Sequence, residues 1–275
     1  MLGSAGLEII CPMNEPHSPA RLSASLLSRR AALVRGATLA AGTAVGLEAF
    51  AASGKRTVVV WSERTAPKDV YPDDINGAIA EGLVGLRGWE VLTANIDEPD
   101  QGLRPELLNR TSVLIWWGHK RHGEVKDELV DRIVQRVKGE GMGFIGVHSC
   151  HFAKPFKRLM GTACSWRWYV ADGSSLSVIV RAPDHPIAHG IKDFDLPKTE
   201  RYGEPFKVPQ PETVVFDGVY HRPDGTLESS RQGMTWTVEK GRVFYFQPGH
   251  ETYPHMYNES VRHIMRNATR WAAAR

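Results

Sequence analysis

The sequence predicts an α/β protein built around a mainly parallel sheet. Short apolar runs rich in β-branched and aromatic residues alternate with longer segments of helical periodicity, which is the pattern of βαβ units. The first four runs lack a regular polar alternation, so we expect strands that are buried on both faces. The chain has 275 residues, 42% hydrophobic and 24% charged, and is long enough for one sizeable core. We therefore expect helices on both faces of a central sheet.

The predicted elements follow in chain order. Four buried strands cover residues 57–61, 89–94, 112–117 and 142–148, and amphipathic helices cover 73–86 and 124–138. The second half is less regular, with strands at 176–181, 213–217, 234–239 and 242–247 and a closing helix at 258–273. The last two strands are joined by Lys240-Gly241, a hairpin signal, so part of the sheet is expected to be antiparallel.

The first 51 residues differ in pattern from the rest of the chain. Arg29-Arg30 precedes a mildly apolar run, and Ala49-Phe50-Ala51 offers a small-x-small cleavage site. This pattern predicts a twin-arginine signal peptide and a disordered N-terminus over residues 1–51, with periplasmic placement of the domain at 52–275. Ala32 stands where the motif prefers phenylalanine, and Glu48 interrupts the run, so a cytoplasmic location is the alternative. The run is too short for stable membrane insertion.

Charge and cysteine content exclude one partner class and leave two questions open. The net charge is only +3, and the main body has no lysine or arginine block, so we expect no nucleic-acid partner. Cys150 and Cys164 are either bridged in an oxidising compartment or free thiols. The residues also leave open whether the chain forms a homo-oligomer.

Polar residues concentrate where the predicted strands end. Open α/β sheets bind ligands beyond the carboxyl ends of their strands, so the loops after the first, third, fourth and last strands should meet at one edge. Histidine there suits metal binding or proton transfer. The four loops carry Glu63; His119 and His122; His148 and His151; and His250 and Glu251.

The same regions resemble the ThuA-like (trehalose utilisation) family. The motifs that carry the resemblance are Tyr71-Pro72-Asp73, Leu114-Ile115-Trp116-Trp117-Gly118-His119, Gly146-Val147-His148-Ser149, Tyr202-Gly203-Glu204 and Pro248-Gly249-His250-Glu251-Thr252-Tyr253-Pro254. The resemblance implies a flavodoxin-like fold similar to class I glutamine amidotransferases. It also implies a role in the metabolism of trehalose or a related disaccharide, with a step on its 3-keto derivative as the expectation.

The family motifs, carried over residue by residue, suggest a metal-assisted isomerase or lyase, with a hydrolase as a further alternative. His119, His148 and His250 lie on different strand-end loops and are expected to bind one divalent cation such as zinc. Glu204 is expected as a fourth ligand or general base, with His151 and Glu251 as further catalytic candidates. Candidates for contact with a small-molecule carbohydrate are Glu63, His122, Trp117, Trp166, Trp168 and Tyr253.

Two departures from the family pattern keep alternatives open. Cys150 stands where we expect glycine, which raises a nucleophile hypothesis, but the G-x-C-x-G elbow of glutamine amidotransferases is absent and that activity is not expected. Trp168-Tyr169-Val170 replaces a charged pair, which would move substrate specificity. A carbohydrate-binding or accessory protein that uses the same cleft without turnover is the alternative to an enzyme.

Overall fold

The computed structural model describes residues 55–274, so the predicted signal segment lies outside the described residues. The described chain contains eleven strands and five α-helices. In chain order these are β1 (Arg56–Ser62), α1 (Asp74–Leu83), β2 (Trp89–Asn95), α2 (Pro105–Arg110), β3 (Thr111–Trp117), α3 (Asp127–Glu140), β4 (Gly143–Val147), α4 (Lys154–Met160), β5 (Trp168–Val170), β6 (Ser175–Val180), β7 (Phe194–Leu196), β8 (Arg201–Gly203), β9 (Thr213–His221), β10 (Leu227–Val238), β11 (Gly241–Phe246) and α5 (Glu259–Ala272).

A mixed nine-stranded sheet forms the centre, in the order β2-β1-β3-β4-β11-β10-β9-β6-β7. The first five strands of this order pair in parallel, and the other four are added by antiparallel pairing. Counted along the chain, the parallel part has the 2-1-3-4-5 order of flavodoxin-like sheets. The predicted hairpin at Lys240-Gly241 is confirmed by the β10–β11 pairing. Strands β5 and β8 form a separate two-stranded sheet.

The parallel strands are apolar because both sets of their alternating side chains are buried. Val58, Ile115 and Ile145 pack in one cluster with apolar residues of α1 and α5. The alternate side chains, such as Leu114 and Phe144, pack in a second cluster with residues of α2, α3 and α4. The continuous apolar runs in the sequence follow from this two-sided burial.

Several predicted boundaries shift for local reasons. The predicted strand 142–148 ends at Val147, because His148 has a φ of 56° and begins a 3-10 turn. The predicted helix 124–138 begins only at Asp127 and ends at Glu140, and it is capped by Gly141, whose φ of 78° suits glycine. The predicted strand 234–239 is the end of the longer β10. The short elements α2, α4, β5, β7 and β8 had no clear period in the sequence.

No helix within residues 55–274 is long and apolar enough to cross a membrane.

The two cysteines of the domain are free thiols. Cys150 and Cys164 are both buried in the second apolar cluster, and no bridge joins them. Burial raises the pKa of the Cys150 thiol well above its usual value, which opposes formation of a nucleophilic thiolate. The geometry therefore argues against the cysteine-nucleophile hypothesis, and packing in the core accounts for this residue.

Candidate functional site

The carboxyl ends of β3, β4 and β11 lie side by side in the sheet, and each is followed by a histidine of the site. His148 leaves β4 in the left-handed backbone region, with a φ of 56°. A non-glycine residue in this region stores strain, a feature that concentrates at functional sites. Gly249 precedes His250 with a φ of 138°, and a Cβ there would lie 2.9 Å from Val147 and from Met256. Only glycine lets the loop after β11 pass this closely over β4.

Three histidines and one glutamate converge at this edge. The ring centroids of His119, His148 and His250 are 5.0–5.6 Å apart, and the rings meet edge to face at 71–77°. One ligand atom from each of these rings and one carboxylate oxygen of Glu200 all lie within 4.8 Å of one another. Ligands of a single zinc ion, each about 2.0–2.2 Å from it, are closer together than this limit. Small side-chain rotations can therefore bring all four atoms to bonding distance. We call these four residues the histidine–Glu200 cluster.

Hydrogen bonds fix the orientation of each ring. Nδ1 of His148 lies 3.0 Å from the carbonyl oxygen of Gln247, so this nitrogen carries a proton and donates it to the carbonyl. Nδ1 of His119 lies 2.7 Å from Oε2 of the buried Glu251. A carboxylate on the outer nitrogen of a histidine is the usual support of a metal ligand. In the structure Glu251 orients His119, and its catalytic role stays a prediction.

The remaining ring, His250, is held from its own loop. Its Nδ1 lies 2.8 Å from the hydroxyl of Thr252 and 3.2 Å from the amide nitrogen of the same residue. Its Nε2 faces Oε2 of Glu200 at 3.9 Å.

The carboxylate of Glu200 faces two imidazole nitrogens, Nε2 of His148 and Nε2 of His250. Its Oε2 is 3.1 Å from Nε2 of His148, but the contact lacks hydrogen-bond alignment and the buried oxygen has no other donor in the described residues. The hydroxyl of Tyr202 lies 3.1 Å from the same Nε2. A buried carboxylate beside imidazole rings is stabilised by positive charge between them. A proton or a metal cation can supply that charge.

The local electrostatics keep the acids ionised and shift the pKa values of the histidines in different directions. Burial alone would raise the pKa of Glu200, but His148 and the other two rings outweigh it and lower the pKa. For His250, burial and the neighbouring His148 lower the pKa to about 4. For His119, the loss from burial is outweighed by Glu251, which raises the pKa. Near neutral pH, the site therefore combines ionised carboxylates with an unprotonated His250, a suitable set for a divalent cation.

A second carboxylate and histidine lie beside the cluster. Oε2 of Glu63 accepts hydrogen bonds from the backbone N–H groups of His119, Lys120 and Arg121, at 2.7, 2.6 and 2.8 Å. Its Oε1 lies 3.2 Å from Nδ1 of His122, and both ring nitrogens of His122 are buried without an aligned hydrogen bond among the described residues. Burial lowers the pKa of His122 despite the opposing charge of Glu63. Glu63 thus shapes the loop after β3, and His122 is a neutral imidazole at neutral pH.

Two predicted catalytic residues do not join the cluster. Glu204 pairs with Arg231 at 2.7 Å and accepts a hydrogen bond from the amide of Phe206, so Glu200 takes the place predicted for Glu204. His151 is fully buried, stacks on Tyr169 with ring centroids 5.5 Å apart, and has Nδ1 at 2.6 Å from the carbonyl of Cys164. Burial lowers the pKa of His151 to about 3. The position of this ring indicates a structural role.

The predicted substrate-contacting aromatics divide into buried and accessible ones. Trp117 is fully buried and donates from Nε1 to the carbonyl of Gly249, which ties the loop after β11 to β3. Trp166 is buried and stacks on Phe206 with ring centroids 4.2 Å apart. Trp168 is half-buried and covered by the guanidinium of Arg201 at 4.6 Å. Tyr253 is half-buried and lies 5.5 Å from His250, so it is the best placed of the four to meet a ligand.

Sequence reasoning missed Glu200, Tyr202 and the partly exposed aromatics Phe152 and Tyr169. Residues two apart in an extended chain share a face, so Glu200 points the same way as Tyr202, which was in a family motif. This two-residue spacing from Tyr202 was the feature of the sequence that could have identified Glu200. Phe152 and Tyr169 lie near each other, with ring centroids 5.5 Å apart, and each contacts His151.

The fold and site together define an α/β protein with a histidine–carboxylate centre at the carboxyl edge of a flavodoxin-order sheet. The chain belongs to the ThuA family, whose description is trehalose utilisation. The model of this family matches residues 57–272. No protein of curated function matches the chain.

Solved structures share this fold. A ThuA-like protein from Bacteroides uniformis ATCC 8492 is 16% identical with a TM-score of 0.57, over 81% of this chain and 93% of that one. A ThuA-like protein from Parabacteroides merdae ATCC 43184 is 12% identical with a TM-score of 0.57, over 80% and 90% of the two chains. A cytoplasmic protein from Salmonella typhimurium LT2 is 13% identical with a TM-score of 0.50, over 78% and 99%. At these identities the likeness concerns the fold alone.

Proposed function

We propose that this protein is a metal-dependent enzyme of carbohydrate metabolism that acts on a trehalose-like disaccharide or its 3-keto derivative. The observation that carries the proposal is the histidine–Glu200 cluster, whose four ligand atoms lie within 4.8 Å of one another. The family to which the chain belongs has the description trehalose utilisation, which supports a disaccharide as the substrate class. A divalent cation held there would polarise a sugar carbonyl and stabilise the negative charge of an enediolate. This chemistry fits an isomerase or a lyase.

Proton transfer is the task that remains for the protein. His122 is the candidate, because its lowered pKa keeps the ring neutral and able to accept a proton. Nδ1 faces Glu63 at 3.2 Å, so the carboxylate stabilises the ring when it becomes positively charged. The charges of His119 and His148 also lower the pKa of His122. We propose no glutamine amidotransferase activity, and the burial of Cys150, which raises the pKa of its thiol, supports this.

The first experiment is elemental analysis of the purified protein by mass spectrometry. We expect about one divalent ion per chain, held by neutral imidazole and carboxylate groups. A triple variant with His119, His148 and His250 changed to alanine should lose the ion. The matched control changes His189, His221 and His263 to alanine, which removes as many histidines from outside the cluster and should keep the ion.

Absence of metal in the wild-type protein, even after zinc or manganese is added, would contradict the metal proposal. A carbohydrate-binding protein without turnover would then account for the same cleft. Assays with 3-keto-trehalose distinguish the two, because only the enzyme consumes it.

We also propose export to the periplasm, on the basis of the Arg29-Arg30 motif. Cell fractionation of the full chain and of a variant with both arginines changed to lysine tests this. Retention of the wild-type chain in the cytoplasm would contradict export.

A further inference from the structure

A cavity of about 580 Å³ adjoins the histidine–Glu200 cluster. We infer that this cavity is a subsite for the second, non-reacting sugar ring of a disaccharide whose first ring meets the cluster. The inference rests on the proposed function for the identity of the reacting ring. It adds the location of the other ring and the residues that select a disaccharide over a monosaccharide.

Two segments that also build the cluster form the cavity walls. One is the segment before β8, where Lys198 lines the cavity two residues before Glu200. The other is the loop after β11, where Thr252 lines the cavity and also holds Nδ1 of His250. Tyr253 connects the two regions, since its ring lines the cavity and lies 5.5 Å from the ring of His250. A ligand at the cluster can therefore extend past Tyr253 into the cavity.

The walls are held in place by buried hydrogen bonds, so the cavity is preformed. Nε2 of His255 lies 2.7 Å from the carbonyl oxygen of Lys198 and ties the two wall segments together. The hydroxyl of the buried Tyr71 donates to the carbonyl of Tyr253 at 2.6 Å, which fixes the loop against the body of the domain. A preformed site spares a ligand the cost of ordering these loops.

The lining suits a sugar ring. Apolar and aromatic walls with a few convergent polar groups are typical of small-molecule sites, and an aromatic ring can cover the apolar face of a sugar. Among residues 55–274, the ammonium group of the exposed Lys198 has no hydrogen-bond or ion-pair partner, so it is free to donate to hydroxyl groups. No carboxylate lines the cavity, which makes it a poor site for a cation. The apolar part of the lining consists of Leu196, Pro197, Tyr253, Pro254 and Tyr257.

Calorimetric titration with trehalose and with glucose tests the subsite on the full chain. Trehalose should bind roughly tenfold more tightly than glucose, since only the disaccharide fills the cavity. Lys198→Trp places an indole in the cavity and should remove this difference while glucose binding stays unchanged. The control is Lys192→Trp, an exposed lysine of the preceding loop that does not line the cavity, and it should behave like wild type.

A second variant keeps the subsite testable if Lys198→Trp fails to fold. Tyr253→Ala removes the aromatic wall and should weaken trehalose binding by roughly tenfold, with metal content measured in the same sample. Equal binding of the two sugars to wild type, no binding of trehalose, or an unchanged preference in both variants would overturn the subsite. Failure of the metal proposal would look different. The protein would contain no ion, but it would still prefer trehalose, and Lys198→Trp would still remove that preference.

Discussion

Glu63 and Glu200 are two carboxylates at the same edge of the sheet, and their surroundings differ in kind. Three backbone N–H groups of the loop after β3 donate to one oxygen of Glu63. By contrast, Oε2 of Glu200 is buried without a donor among the described residues and faces imidazole nitrogens of His148 and His250. Peptide dipoles compensate the charge of Glu63, whereas that of Glu200 needs a proton or a cation.

This difference separates a residue that builds the site from one that binds within it. A carboxylate held by amides stabilises the loop whether or not a ligand is present. One that faces imidazole rings has only those rings to balance its charge in the metal-free protein, and it gains a stronger partner when a cation binds. Substitution of Glu63 should therefore mainly lower the stability of the protein, whereas substitution of Glu200 should mainly lower its metal affinity.

The largest effect is expected for Glu63→Ala. The change leaves three amide groups without their acceptor, and at about 1–3 kcal/mol for each unsatisfied group the free energy of unfolding should fall by roughly 5 kcal/mol. Urea denaturation of the metal-free protein measures this. Glu63→Gln keeps one carbonyl oxygen and should lose about half as much. A loss below about 1 kcal/mol for the alanine variant would show that the amides find water instead.

A comparable effect is expected from pH, through His151 and His255. Burial lowers the pKa of these residues to about 3 and about 4, while unfolded histidine has a pKa near 6.5. The unfolded chain thus binds more protons below pH 6.5, so stability is full above that pH and falls as the solution is acidified. Between pH 7 and pH 5 the two residues should cost on the order of 4 kcal/mol.

Denaturation of the metal-free protein across this range tests the pH dependence. His119, with a raised pKa, opposes this trend, whereas His122 and His250, with lowered pKa values, add to it. His255→Asn should remove about half of the contribution of the buried pair, because one linked proton disappears. Equal unfolding free energies at pH 5 and pH 7 would contradict burial of these two rings.

For Glu200→Gln the main change should be in metal affinity. Loss of the charged ligand should weaken binding of zinc by about 100-fold, which corresponds to about 2.7 kcal/mol. Thermal unfolding of the metal-free variant should shift downward only slightly, since the carboxylate has no aligned hydrogen bond and loses only its attraction to the rings. Competition with a chelator gives the affinity. Unaltered affinity together with a large loss of stability would make Glu200 a structural residue.

The smallest effect is expected for Glu204→Gln. Its ion pair with Arg231 is partly exposed, so its loss should cost only about 1 kcal/mol, with metal content unchanged. The same samples as for Glu200→Gln provide the comparison. A loss of metal in this variant would restore Glu204 as a ligand.

The histidines show why prediction of the site was partial. The strand ends could be read from apolar runs, and parallel strands bring their carboxyl ends to one edge, so the convergence of His119, His148 and His250 followed from local pattern. His151 has the same three-residue spacing from His148 as His122 has from His119, yet the first is fully buried and the second is not. Spacing alone does not reveal which ring another segment covers.

The choice between Glu200 and Glu204 was also beyond the sequence. The two residues are four apart, which is about 13 Å in an extended chain, so only one of them can reach the cluster. Glu204 forms an ion pair with Arg231 of β10, a strand that is distant in sequence. The aromatic residues Trp117 and Trp166 were similarly ambiguous, because a large ring serves equally well in a core or in a cleft.

By itself, the sequence determined the α/β class, the parallel strands, the hairpin at Lys240-Gly241 and the edge that carries the histidines. These features depend on local period and on turn chemistry, which a single chain displays directly. Only the tertiary structure decided which carboxylate faces the histidines, which rings are buried and where a cavity opens beside Tyr253. Those outcomes depend on contacts between residues far apart in the chain, where packing and charge select one partner among several that the local pattern allows.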